Sequence, residues 1–497
     1  MKSFRMQNIK SFIDSGTVEL APITIFVGKN SCGKSSLLRF PVVLAQTYLE
    51  AVPSPIVFNG KFVDYGFFKN VIHNQKGDTI SYEYSYDIDI NEDYDARFFE
   101  YEKDIHIDKE NQVKDIRNVN MRFELYSYDN KVSVKTVSMF MDGMCLVTFD
   151  SKKTVKLNYL FLDNDIKKTN YTFDVNSLVF QMEGYPFYDE KDLFTSVYNS
   201  LMKCSDRDIK DEFHRFRRDA NLDFSKLTNR EKRLYLILKS FSKISNIMSH
   251  VYEAFRKESI LINYIGPFRE PPARIFRDSE RASAAYGVGV KGENVSNILI
   301  RDYRRNSKLI NEISKWMYPV LGYKICIEDL HNGFYQVKLT DKYGVDSDIC
   351  DVGYGISQVL PILIQIIENI NRNKIGQEKA IYIEQPELHL HPAAQAQLAD
   401  LITKCVVSEN NSTKLIIETH SEHLIRKLQV LISDKSCPLT NDMVKTYYVD
   451  KNLQGNAFLT EMTIAPNGKF DVSWPTGFFD QAHSLTMDLL KNSIEEI

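Results

Sequence analysis

One short run constrains this chain more than any other. Gly28-Lys29-Asn30-Ser31-Cys32-Gly33-Lys34-Ser35 fits GxxxxGK[ST] and continues into Ser36. Before it lies an apolar, β-branched segment, ITIFV at 23–27. After it comes a stretch of helical character, SSLLRFPVVLAQTYLEAV, interrupted by Pro41. Strand, glycine turn and helix in that order let successive backbone N–H groups curl around a phosphate, and the helix adds its N-terminal dipole. Asn30, Ser31, Cys32, Gly33 and Ser36 belong to this cradle; Lys34 would reach the outer phosphates of a nucleotide, and the Ser35 hydroxyl would hold Mg²⁺. A plain glycine turn before a helix is the bland alternative. The placement between strand and helix argues for the phosphate site, and with it for an α/β fold.

Length and composition bound the rest. A chain of 497 residues exceeds what one core usually covers, so two or three lobes are expected. With 43% apolar and 26% charged residues, collagen-like, low-complexity and largely disordered readings fall away. The net charge of −4 gives no global attraction to nucleic acid or anionic membrane, so any such contact must be a local patch. The N-terminus MKSFRMQNIKSF has no secretory core, and no apolar run spans a bilayer, so a cytoplasmic chain without a membrane partner is expected. Seven scattered cysteines without a CxxC pair argue against a disulfide framework and a cysteine zinc site.

Along the chain, residues 2–27 read as short strands. Residues 78–182 alternate as an antiparallel sheet does, with solvated acidic surface around 86–117. Helical spacing dominates 188–257, and 261–290 reads as an ordered loop rich in Pro, Gly and Arg. From 292 a helix, strands near 323–340 and a strand–helix alternation run to about 450. No repeat of fixed period occurs.

Two later strands end in polar groups. AIYIEQPE at 380–387 puts an acidic cluster at a strand tip, where a carboxylate can meet Mg²⁺ beside a phosphate loop; Glu384 is the first choice. KLIIETHS at 414–421 puts His420 at a similar tip, able to hydrogen-bond a γ-phosphate or simply to open a helix. His389 and His391 lack the further Cys or His neighbours that zinc needs. DVGYGISQVLP at 351–361 is a glycine turn opening a helix, suited to grip a phosphate through backbone amides and the Ser357 hydroxyl.

With these elements in order, the chain resembles the ATP-binding-cassette-like heads of SMC proteins, RecF-type repair ATPases and the OLD family. The resemblance covers about 1–80 and 340–440. It implies an α/β P-loop NTPase head of ABC/SMC type built from both chain ends, with a β-rich and helical insertion. The segments would be 1–80 (first part of the head), 81–260 (insertion), 261–340 (linking region), 341–440 (second part of the head) and 441–497 (extension). It further implies ATP and Mg²⁺ as cofactors, and a homodimer in which Gly353, Gly355, Ser357 and Gln358 face the partner copy's nucleotide. His391 would lie in the D-loop and His420 would be the switch histidine. More narrowly, IEQPELHLHPAAQ, ETHSEHLIRKLQ and WPTGFFDQ are similar to bacterial AAA-type ATPases with a short C-terminal extension. Relatives of those act in anti-phage systems such as Septu and PARIS with a separate nuclease or toxin protein.

Two departures shape the expected activity. Related heads carry Asp-Glu at the strand tip, whereas this chain carries Glu384-Gln385; glutamine cannot accept a proton but can orient a water. Hydrolysis is therefore expected to be slow or to use Glu387. The segment after His420 is too short for the metal-dependent nuclease domain of OLD proteins, so no nuclease activity is expected in this chain alone. Arg215, Arg217 and Arg218 would contact DNA or lie on a solvated helix. Arg269, Arg274, Arg277 and Arg281 would serve phosphates, a partner or the joining of lobes. Trp474 and Phe478-Phe479 read as packing groups, and Gln75 stands as a glutamine-loop guess. Three functions compete: an ATPase that regulates an effector in phage defence, a DNA-repair ATPase on duplex DNA, and a scaffold that binds ATP without turnover.

Overall fold

Four strands open the chain: β1 (Ser3–Ile9), β2 (Phe12–Asp14), β3 (Val18–Glu19) and the fully buried β4 (Ile23–Gly28), which feeds helix α1 (Lys34–Leu49). Six longer strands follow, β5 (Thr79–Asp89), β6 (Ile116–Tyr128), β7 (Lys131–Met141), β8 (Met144–Asp150), β9 (Thr154–Phe161) and β10 (Ile166–Asp174), and then helix α2 (Asn229–Ile260). Next come β11 (Asn263–Ile265), β12 (Phe276–Arg277), α3 (Val295–Arg305), α4 (Leu309–Leu321), β13 (Tyr323–Asp329), β14 (Phe334–Asp341) and β15 (Asp346–Asp348). The chain continues through α5 (Tyr354–Asn371), β16 (Lys379–Glu384), α6 (Pro392–Val407), β17 (Thr413–Glu418), α7 (Glu422–Ser433), β18 (Val444–Lys451) and β19 (Ala457–Glu461). This is a computed structural model; it describes residues 1–50, 52, 54–90, 114–128, 131–151, 154–162, 166–174, 227–277, 287–371, 379–408 and 413–475. Arg215, Arg217, Arg218, Arg281, Phe478, Phe479 and much of the 188–257 helical stretch lie outside the described residues.

The chain folds as two compact units, Met1–Glu19 with Val43–Ile260, and Leu20–Val42 with Leu261–Ile497. In the first, a nine-stranded sheet runs β10-β9-β8-β7-β6-β5-β1-β2, with β3 on β1. Its pairings are antiparallel, as the alternating segments require. Tyr84 on β5 stacks on Phe123 of β6 and on Phe255 of α2, at centroid distances of 5.7 and 5.4 Å. β1–β3 hydrogen-bond into this sheet, β1 pairing with β5 from Ser3↔Ser85 to Gln7↔Ser81.

The second unit carries the mixed α/β fold expected, with a sheet assembled from both ends of the chain. The order is β11-β16-β17-β4-β18-β19, parallel except for the antiparallel edge pair β18–β19. β16, β17 and β4 are near-continuous apolar runs, the pattern of strands covered on both faces. Helix α5, buried over most of its length, packs in the same core as α3, α4, α6 and α7. β18, read from sequence as part of an extension, lies against β4 in parallel register, Val444↔Ile23 through Val449↔Gly28. Trp474 meets Tyr448 and Phe470 edge-on and packs on this core.

Candidate nucleotide-binding site

In this parallel sheet β17 lies between β16 and β4, so three strand tips stand side by side with Glu384 opposite Glu418 and Glu418 opposite Phe26. Ligands of open α/β sheets bind at such carboxyl ends. β4 ends at Gly28, whose φ is +145°; a Cβ there would lie 2.0 Å from the Val449 carbonyl oxygen. Only glycine permits that approach. The loop then turns through Ser31 and Gly33, with φ of 61° and 111°. It enters α1 with the Ser36 and Leu37 amides on the Gly33 carbonyl at 3.0 and 3.2 Å.

Lys34 is buried, and its ammonium spans the loop to donate to the Lys29 carbonyl at 2.7 Å. Burial lowers its pKa, and the charges of Glu418, Cys32 and Glu387 oppose that shift. Asp450, at the end of β18, braces the loop by accepting from Lys29 Nζ at 3.0 Å and from the Cys32 thiol at 3.6 Å. Burial and Asp450 together push the Cys32 thiol up.

Both oxygens of the Glu384 carboxylate are engaged within the protein. Arg39 donates to its two oxygens at 2.6 and 2.7 Å, and the Tyr264 hydroxyl donates at 2.7 Å. Burial and the Glu384 charge raise the Tyr264 pKa far above the ordinary phenol range. Arg269 is buried rather than offered to a ligand; it donates to the backbone carbonyls of Glu384 at 2.6 Å and Gln385 at 3.3 Å. Burial lowers its pKa to about 10. Gln385 takes a left-handed conformation, φ 46°, and its amide bonds the Glu418 carbonyl at 2.8 Å.

Both oxygens of Glu387 accept hydrogen bonds, from the Thr419 hydroxyl at 2.8 Å and from the His420 amide at 2.6 Å. Burial raises its pKa. Glu387 thus ties the turn after β16 to the tip of β17. Burial, with Lys34 adding to it, holds His420 at about 4, so the ring is neutral at pH 7. Burial and the Glu384 charge push Glu418 up to about 7, against the Ser35 hydroxyl, Lys34 and Arg39.

The glycine turn before α5 and the turn after β16 pack together. A Cβ on Gly355 would lie 2.4 Å from the His389 carbonyl oxygen, and Tyr354 meets the His389 ring edge-on at 5.2 Å. Ser357 is buried and donates to the Tyr354 carbonyl at 2.7 Å, while Gln358 donates to the Arg269 carbonyl at 3.5 Å. Gly353 and Tyr354 are exposed. His391 is the N-cap of α6, its Nδ1 accepting from Ala393 N–H at 3.4 Å. Arg274 pairs with Asp351, Nη1 to Oδ2 at 2.7 Å, on the surface.

The phosphate loop, Glu384, Gln385, Glu387 and His420 therefore meet at one end of one sheet. Arg39, Tyr264, Glu418, Thr419 and Asp450 join them without having been singled out in the sequence. One signal was available: YIE at 382–384 and IIE at 416–418 end the two strands alike. Among the described residues, no group of three or more His, Cys, Asp or Glu side chains could by itself hold a metal ion, and no helix is long and apolar enough to cross a membrane.

A parallel sheet whose inner strand ends in a glycine–lysine–serine loop, with acidic tips on the adjoining strands, defines a P-loop nucleotide-binding ATPase. More particularly, the chain belongs to the family described as "AAA ATPase domain", whose model matches residues 1–425. Membership implies ATP binding. A second model, "Protein of unknown function (DUF3696)", matches residues 439–489. No curated protein matches the chain. Among solved structures, it is similar to an Smc head bound to the C-winged helix domain of ScpA, at 10% identity over 93% of this chain and 97% of that one, with a TM-score of 0.39. A second is an Smc head with an extended coiled coil bound to the C-terminal domain of ScpA from Pyrococcus furiosus, at 11% identity over 98% of each chain and a TM-score of 0.38. A third is the SMC head domain from Thermotoga maritima, at 10% identity over 92% and 97%, with a TM-score of 0.31.

Proposed function

We propose that the loop around Lys34 binds ATP with Mg²⁺, and that the chain hydrolyses it slowly and pairs with a second copy while the triphosphate is present. Pairing would control a separate effector, a nuclease or toxin protein, in anti-phage defence. The observation that carries this reading is the convergence of Lys34, Ser35, Gln385, Glu387 and His420 at the carboxyl end of one parallel sheet.

The residues suit a metal-bound nucleotide: a buried Glu418 oxygen, without a hydrogen-bond partner among the described residues, lies on a carboxyl within hydrogen-bonding reach of the Ser35 hydroxyl. When bound, Mg²⁺ would neutralise phosphate charge. Lys34 would exchange the Lys29 carbonyl for phosphate oxygens, and the neutral His420 ring can donate one hydrogen bond to a terminal phosphate. Gln385 would orient water without taking its proton, which keeps turnover slow. Glu387, with both oxygens engaged, would act by holding the His420 backbone in place. Across the pair, the exposed residues Gly353 and Tyr354 at the start of α5 would offer the contact, with Ser357 and Gln358 bonding inward.

The test is binding of a fluorescent ATP analogue and release of phosphate by the purified chain. Lys34→Ala should lose binding at least tenfold, and ATP should shift wild type, but not Lys34→Ala, to twice its mass by light scattering. A wild-type chain that binds no triphosphate refutes the reading. Retention of an effector from the native host by wild type with ATP, and not by Lys34→Ala, tests the partner.

A further inference from the structure

We propose that Glu418, rather than Glu384, is the carboxylate that meets the metal ion beside Ser35; this rests on the nucleotide site proposed above. The expectation from sequence favoured Glu384, since an acid at the tip of an apolar strand is the usual candidate. Geometry separates the two. Both Glu384 oxygens are held by Arg39 and one also by the Tyr264 hydroxyl, at 2.6 to 2.7 Å, so a metal would have to compete with a bidentate ion pair for that carboxylate.

Glu418 stands differently. It ends β17, the strand directly beside β4, whereas Glu384 is one strand further from the phosphate loop. Its carboxyl lies within reach of the Ser35 hydroxyl and close enough to Lys34 to feel its charge. Its Oε2 is buried and makes no hydrogen bond among the described residues. Such an orphaned acceptor in a folded core calls for an explanation, and a bound cation supplies one. Mg²⁺ characteristically takes one or two protein ligands, with phosphate oxygens and water completing its shell, so the lack of a larger acidic cluster among the described residues fits this donor set. Glu384 then has a separate role, fixing Arg39 and Tyr264 around the tip of β16.

The test measures the affinity of the full chain for a fluorescent non-hydrolysable ATP analogue in EDTA and in Mg²⁺, and reads the ratio. Wild type should bind at least tenfold tighter with the metal. Glu418→Gln should reduce that gain to twofold or less, and Glu384→Gln should retain most of it. Ser35→Ala should lose the gain as well, with the Ser35→Ala/Glu418→Gln pair no worse than either alone. Electron paramagnetic resonance of Mn²⁺ in the analogue complex should show weaker retention of the ion in Glu418→Gln than in Glu384→Gln. Should Glu418→Gln fail to fold, Glu418→Asp is read the same way, with at least a threefold smaller gain expected. An undiminished metal gain in the Glu418 variants, or its loss in Glu384→Gln alone, overturns this assignment and leaves nucleotide binding intact. A wild-type chain that binds no analogue in either buffer overturns both.

Discussion

Removing Arg39 should expose how the strand tip is held. The Glu384 side chain is only 2% exposed, and its compensation consists of two charge-assisted bonds from Arg39 and one from the Tyr264 hydroxyl. Among the described residues, Arg39→Met takes away the one formal countercharge bonded to that carboxylate and leaves a single neutral donor. Breaking one side of a buried pair costs about 3–5 kcal/mol, because a charge is left without water or partner. Arg39 is itself 28% exposed, so some water reaches the pair, and the low end, about 3 kcal/mol, is the expected loss. Arg39→Met/Glu384→Gln removes the stranded charge while keeping an acceptor for Tyr264, so it should recover at least about half of that loss. The assay is urea unfolding followed by tryptophan fluorescence. The chain has two tryptophans, Trp316 and Trp474, and both belong to the unit that contains this pair, so the signal reports that unit alone. A single variant within about 1 kcal/mol of wild type, or a double variant no more stable than the single, would refute the reasoning.

Other outcomes follow from the same geometry. Gly355→Ala should destabilise more than Gly353→Ala by at least about 1 kcal/mol, since its Cβ would lie 2.4 Å from the His389 carbonyl oxygen while Gly353 has open space; thermal melting compares them. Gln385→Glu should raise phosphate release about tenfold by restoring a proton acceptor, and an unchanged rate would mean that no general base acts there. Glu387→Gln should cost about 1–2 kcal/mol and lower turnover as well, because an amide cannot accept from both Thr419 and His420; unchanged turnover removes Glu387 from catalysis. Acidity offers another check in the metal-free chain. Glu418 sits at about 7 when folded against about 4.5 unfolded, so its contribution is fully present below 4.5 and is lost as the pH rises through 7. Glu418→Gln should therefore stabilise the chain at pH 8, by up to about 3 kcal/mol, and much less at pH 5; equal effects at both pH values would contradict the burial argument.

The phosphate loop was legible because its chemistry is local: spacing, glycine and Lys-Ser all lie within one turn of chain. So were the two apolar strands, which end at Glu384 and, two residues before His420, at Glu418. What escaped was set by neighbours distant in sequence. Arg39 is simply a polar position on α1 until β16 brings Glu384 against it, and Tyr264 is one residue of a three-residue strand whose place beside β16 no periodicity reveals. Arg269 reads in sequence as a contact for phosphates or a partner or as a structural tie, and it is buried on the carbonyls of Glu384 and Gln385. A charge count along the chain cannot distinguish an arginine that caps a strand end from one that greets an anion, because both need the same guanidinium.

β18 makes the same point for topology. Read alone, MVKTYYVD and AFLTEMTIA form a strand pair of an appended tail, and that pairing is real. The stronger constraint is the one against β4, where Val449 lies so close to Gly28 that the first glycine of the loop cannot carry a side chain. Asp450 then reaches the loop from the same strand through Lys29 and Cys32. The glycine required by GxxxxGK[ST] is thus demanded twice, once for the curl around a phosphate and once for the neighbouring strand. Substituting it should disturb β18 even when no nucleotide is present, which separates a packing requirement from a binding one within a single residue.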